Sequence, residues 1–130
     1  MLTKEDIEAW LDRLDSGSAE VSELGPGLWM VRTTSGAEVL VNYAPPVALL
    51  RVTVMTLPAE PALQAKLCRQ LLEYNARELV HGAYGLEGDR ILLVDTLELA
   101  NLDFTEFEAS FDSLTLAIAT HLGALAPYRE

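Results

Sequence analysis

The chain has a single cysteine, Cys68, among its 130 residues. One thiol makes no internal disulfide, so packing alone has to hold the fold, and the composition fits a reducing compartment, the cytoplasm. Cys68 falls on the apolar side of a helix, where a buried inert thiol is the ordinary outcome. Cations are also scarce: nine Lys and Arg stand against twenty Asp and Glu, a net charge of -11. A surface of that sign repels phosphates and argues against DNA or RNA as partners. The only histidines are His81 and His121, with no HxxxH or CxxC spacing. A zinc site takes about three protein ligands, so no metal and no cofactor is expected.

Other absences narrow the field further. No uncharged apolar run reaches the roughly 18 residues of a membrane span. The start, MLTKEDIEAW, is charged and reads as no export signal. Gly25-Pro26-Gly27 and the glycines between 82 and 88 are not followed by Lys-Ser, so neither is a phosphate loop. Asp95 and Glu98 sit near a strand end an odd number of residues apart and point to opposite faces, which makes a poor acid/base pair. The aromatic residues are not interleaved with basic ones, so no base-stacking platform is present. These readings point away from an enzyme.

What the chain has is apolar pattern. Half of its residues are hydrophobic, ample for the core of one domain over residues 1–130. Thr3 reads as an N-cap, with Leu2 and Ile7 placed as a hydrophobic staple. Ile7, Trp10, Leu11 and Leu14 then recur at helical spacing, and the helix is expected to end near Asp15. Residues 19–24 read as either a short strand or a loop. Leu28 to Thr33, the alternating stretch around Ala37 to Tyr43, and VALLRVTVMTL from Val47 to Leu57 read as three strands of an antiparallel meander. The last is apolar on nearly both faces, which suits a strand covered on both sides. After a long helix, Ala83 to Leu86 and Arg90 to Leu99 form a second hairpin around Glu87-Gly88-Asp89. Asp103 with Glu106 gives a capping box for a final helix whose Phe104, Phe107, Phe111, Leu114 and Ile118 share one face.

The helix the chain is arranged around runs from Pro61 to Val80, with proline at its first position. At about 100° per residue, Leu63, Leu67, Leu71 and Tyr74 fall on one side. Cys68, Leu72, Asn75, Ala76 and Leu79 fall on the adjoining side. Together they cover roughly 200° of the helix, twice an ordinary apolar stripe. Such a helix needs cover on two sides: its own sheet, and either a second copy of the chain or more of the same domain.

Leu71-Leu72-Glu73-Tyr74-Asn75, followed by the hairpin AYGLEGDRILLVDTL and by Asn101-Leu102-Asp103 leading into the last helix, resembles the type III secretion chaperone family. That family includes CesT-like (Tir chaperone) and YbjN-like proteins. The resemblance implies an α+β fold, an antiparallel sheet with helices in the order α-β-β-β-α-β-β-α. It also implies a small acidic cytoplasmic homodimer that uses no nucleotide and holds an extended segment of a client protein. Under it, Leu63, Leu67, Leu71 and Tyr74 are expected at the dimer interface, with Leu72, Asn75 and Leu79 toward the sheet; the two sides are interchangeable on the wheel. Candidate client contacts are Trp10, Trp29, Leu40 and Leu50, each with ordinary core as its plain alternative. The YbjN-like branch implies a rival, a regulatory or structural dimer that meets a folded partner and has no secretion role.

Overall fold

The structure is a computed structural model that describes residues 2–129. A first helix, α1 (Lys4–Leu11), leads through a short turn into four strands: β1 (Glu20–Gly25), β2 (Leu28–Arg32), β3 (Glu38–Ala44) and β4 (Val47–Thr56). Helix α2 (Pro61–Arg77) follows, then β5 (Ala83–Glu87), β6 (Arg90–Glu98) and helix α3 (Phe104–Leu125). All six strands form one antiparallel sheet in the order β1-β2-β3-β4-β6-β5. The fold is the expected α+β arrangement of an antiparallel sheet with helices, with residues 20–25 forming an additional strand.

Local chemistry starts each element. The Thr3 side chain accepts from the Asp6 backbone N–H while the Asp6 carboxylate accepts from the Thr3 N–H, a reciprocal cap that satisfies two helix-end donors. Asp103 and Glu106 repeat it at α3. Pro61 opens α2, where its missing N–H costs nothing. Helix α1 stops four residues before Asp15: Arg13 N–H bonds back to the Trp10 carbonyl in a tighter turn, and Asp15 and Ser16 then take left-handed φ angles of 53° and 55°. Asp15 tolerates this by accepting a hydrogen bond from the Thr34 N–H at 2.8 Å, which ties the connector to the β2–β3 turn.

Strand parity then sorts the side chains. Trp29 and Val31 on β2, Val39 and Val41 on β3, Ala48, Leu50 and Val52 on β4, and Ile91 and Leu93 on β6 point to one face and are buried. They share one core cluster with Ile7, Leu11 and Leu14, with Leu67 and Leu71, and with Phe107, Phe111 and Leu114. All three helices therefore lie on the same face of the sheet. The expectation that β4 is covered on both sides holds for one side only. Its other side, continuous with Leu28, Met30, Leu40 and Val94, has no helix over it among the described residues.

Candidate functional site

Two surfaces carry apolar groups that no helix of the described residues covers, half-buried on the first and exposed on the second, beside backbone or charge that a partner can read. The first is the bare face of the sheet. The pairings Met30↔Leu40, Leu40↔Arg51, Arg51↔Val94 and Thr53↔Leu92 place these residues in one continuous patch across four strands. A shallow cleft of about 340 Å³ runs between Met30, Glu38, Leu40, Arg51, Thr53, Arg90 and Leu92. Leu92 is 5% exposed yet belongs to no part of the core cluster; its burial comes from the side chains beside it on this outer face. Arginines rim the cleft. Arg32 pairs with Glu38 at 3.2 Å, whereas Arg51 and Arg90 share Glu87 at 3.6 and 2.7 Å. Solvated pairs of this kind contribute little stability, so they remain available to exchange partners.

The second surface is the outer side of α2 with the adjoining β5. Leu72 is 66% exposed and Leu86 54%. With Cys68, Leu71, Asn75, Tyr84 and Gly85 they line a cavity of about 230 Å³ whose walls are almost wholly apolar. Lys66, Arg69 and Arg77 flank the outer face of α2, with Glu73 held by Arg69 at 3.4 Å.

Behind this surface lies a polar and aromatic knot that fixes α2 against α3. The His121 ring is 4% exposed. It stacks on Tyr74 with centroids 3.8 Å apart, and its Nδ1 hydrogen-bonds the Tyr84 hydroxyl at 2.6 Å. Gln70 donates to the Tyr74 hydroxyl and accepts from the Tyr128 hydroxyl. Burial, together with Tyr74 and Glu78 nearby, holds the Tyr84 phenol well above its ordinary value, so it stays protonated as a hydrogen-bond partner.

Asn75 completes the knot in a way that matters for binding. Its amide donates to the Tyr84 carbonyl at 3.2 Å and accepts from the Tyr84 N–H at 2.7 Å, as a neighbouring strand would. This is the backbone partner that a half-buried amide needs. Asn75→Ala leaves both edge groups of Tyr84 without that partner. The expected cost is about 2 kcal/mol, read from urea denaturation, with amide exchange accelerated at Tyr84 before the core of the sheet.

The residues singled out from the sequence separate cleanly. Leu67 is fully buried and Leu71 nearly so, while Leu63 and Tyr74 pack partly buried on the same core. The side expected at the dimer interface is thus covered by the chain itself; of the residues expected toward the sheet, Asn75 reaches the β5 backbone and Leu79 packs on the core, whereas Leu72 faces out beside half-buried Cys68. Among the client candidates, Trp29 (1% exposed) and Leu50 (0%) are core, because they share strand parity with Val31 and Val52. Trp10 is half-buried against the rings of Phe104 and Phe107, at 6.1 and 5.6 Å. Leu40 alone of the four lies on the bare face. Met30 and Leu92 were not singled out, although each is apolar at the strand parity opposite to its core neighbours; Leu86 shares the parity of buried Tyr84 and is left exposed beside α2. His81 Nδ1 lies 4.0 Å from Asp95 Oδ2, and that carboxylate accepts a hydrogen bond from Ser110. Histidine and serine both face the carboxylate, so the three do not form a nucleophile–base relay.

Solved structures share this architecture. A chain of the heterodimeric ExoU–SpcU complex from the type III secretion system of Pseudomonas aeruginosa superimposes with a TM-score of 0.71 at 17% identity, over 95% of this chain and 98% of that one. YbjN, a putative transcription regulator from E. coli, gives 0.67 at 13%, over 95% and 93%. The Yersinia pestis type III secretion chaperone SycH, in complex with a stable fragment of YscM2, gives 0.63 at 16%, over 91% and 98%. No curated protein sequence matches the chain. The family model described as CesT_Tir_1 matches residues 2–130, nearly the entire sequence, and the chain belongs to that family.

Proposed function

We propose that the protein is a non-enzymatic, cytoplasmic protein-binding module, a homodimer that holds an extended segment of a client protein. The observation that carries this reading is the bare sheet face around Met30, Leu40 and Leu92, a patch that the chain builds but does not cover. Apolar side chains there supply affinity, and the exchangeable arginine pairs at the rim supply orientation. The α2–β5 surface with Leu72 and Leu86 serves the second copy, since it is apolar, adjoins a strand and lies away from the bare face. The structural relatives include complexes of chaperones with partner proteins, among them the HopA1–SchA chaperone–effector complex, which has a TM-score of 0.61 at 14% identity over 88% of this chain and 91% of that one.

Titration calorimetry against N-terminal peptides of proteins encoded beside this one tests the reading. One such peptide is expected to bind with a Kd of about 1 μM or tighter, and Leu40→Asp should weaken it at least about tenfold by charging the centre of the patch. The variant should retain wild-type unfolding within about 1 kcal/mol, because Leu40 is outside the core. Failure of every peptide, with a stable folded partner recovered instead, moves the protein to the rival reading that its likeness to YbjN favours: a regulatory or structural dimer.

A further inference from the structure

A buried histidine changes its hydrogen bonds when one proton arrives, and it does so within about pH 5–8. His121 is such a group, and α3, α2 and β5 meet at it. Its ring stacks on Tyr74 of α2 and lies 5.7 Å from the Tyr84 ring of β5. The Tyr84 hydroxyl is 2.6 Å from Nδ1, and no other side chain bonds that hydroxyl among the described residues. Burial keeps the phenol protonated. Its proton therefore goes to Nδ1, and the ring carries its own proton on Nε2. Nε2 faces Glu78, the C-terminal cap of α2, at 3.7 Å.

The titratable groups around the ring are Tyr74 and Glu78 from α2 and its cap, Tyr84 from β5 and, linked to Tyr74 through Gln70, Tyr128 from the C-terminal turn. Glu78 supplies the charge in this set, and half of its side chain is in solvent. A proton added to the neutral ring must go to Nδ1, where it meets the Tyr84 hydroxyl head on. The hydroxyl then has to turn its own proton away, toward no acceptor among the described residues. A buried donor without an acceptor and a poorly solvated charge are both costly. The half-exposed Glu78 carboxylate and the face of the Tyr74 ring offset part of this. Yielding is easiest at β5, a five-residue edge strand, because α3 is pinned through Phe107, Phe111 and Leu114 in the core.

We propose that His121 is a proton-operated latch on the α2–β5 surface: neutral, it holds Tyr84 and with it the edge strand; protonated, it lets Tyr84 go. Tyr84 walls the apolar cavity of that surface together with Leu72 and Leu86. The latch thereby regulates the surface offered to a second copy, a consequence that rests on the dimer reading above; the release of Tyr84 does not.

Amide exchange, referred to the intrinsic rate at each pH, tests the latch in the wild-type chain, and the nitrogen shifts of the His121 ring follow its protonation in the same samples. Between about pH 8 and about pH 5.5 the Tyr84 amide is expected to lose protection at least about tenfold, in step with the ring, while the amides of the paired Val41 and Leu50 change less than about twofold. His121→Asn puts an acceptor near the place of Nδ1 without a titrating ring, and its Tyr84 amide should stay protected at both pH values. His81→Asn is the control. It removes the other histidine, one residue before Gly82 at the β5 entry, and should respond as the wild type does. A ring that stays neutral throughout, a Tyr84 amide that stays protected while His121 titrates, a His121→Asn chain that still responds, or a response abolished by His81→Asn overturns the latch. Light scattering reads the regulation separately. A wild-type dimer that dissociates over the same range, beside a His121→Asn dimer that does not, supports it. A dimer unchanged while Tyr84 is released overturns the regulation alone, and a monomer at both pH values overturns the dimer reading.

Discussion

Leu67→Asp is expected to leave the chain unfolded, whereas Leu72→Asp, five residues along the same helix, is expected to leave it folded and to change only what it associates with. Leu67 is fully buried against the chain's own core. Removing its side chain forfeits about 2–5 kcal/mol, and an unpaired carboxylate in its place adds a desolvation cost of several more. Domains of this size are stable by about 5–15 kcal/mol, so the sum is comparable with the total. Leu72 is two-thirds exposed in the single chain. A charge there costs the monomer little, but in a two-fold interface it meets its own copy in a dry setting. Far-UV circular dichroism separates the two variants, and light scattering coupled to gel filtration gives the mass of each. A dimeric wild type that Leu72→Asp converts to folded monomers supports the α2–β5 seam. A folded Leu67→Asp protein would mean that the inner and outer sides of α2 have been assigned the wrong way round.

Gly82→Ala is expected to cost about 3 kcal/mol, through two effects at one atom. Gly82 has φ +79°, where a side chain costs about 1 kcal/mol. The added Cβ would also lie 2.8 Å from Leu114 Cδ2 and 2.9 Å from the Val94 carbonyl oxygen. Leu114 is fully buried in the core, so relief means moving α3 or rotating a packed side chain, worth about 1–3 kcal/mol. Urea denaturation measures the loss. Gly85→Ala is the control: nothing lies within 4 Å of the new Cβ, and its effect should stay within about 0.5 kcal/mol. A loss below about 1 kcal/mol at Gly82 would show that the β5 entry and α3 part more easily than their packing suggests.

The elements with strong periodicity were legible in the sequence because their signals are local. Thr3, Pro61 and Asp103 mark helix starts by satisfying or lacking donors, and the structure puts each at a helix start. β1 was ambiguous because, of its six residues, only Val21 packs partly buried against the core, so the alternation that betrays a strand is missing. The two sides of α2 were visible but not their assignment: a wheel shows that Leu67 and Leu72 are both apolar, not which of them meets the sheet. Lys66, Arg69 and Arg77 around Leu72 were the available hint, since long cationic side chains tolerate a rim better than a core. Trp29 and Leu50 were misplaced among contact residues although their parity with Val31 and Val52 already tied them to the packed face. The edge closure by Asn75 depends on a turn that returns β5 alongside α2, which no local pattern encodes.

The uncovered sheet face has a consequence for the protein as a colloid. A patch of leucine, methionine and valine next to an open strand edge would ordinarily drive copies together into disordered aggregates. Charge opposes this: at net -11, two molecules repel before their patches meet. That protection is titratable. Toward the pI of about 4.5 the long-range repulsion vanishes while the patch is unchanged. The acidity of this chain then acts as a dispersant, holding the uncovered faces of separate copies apart.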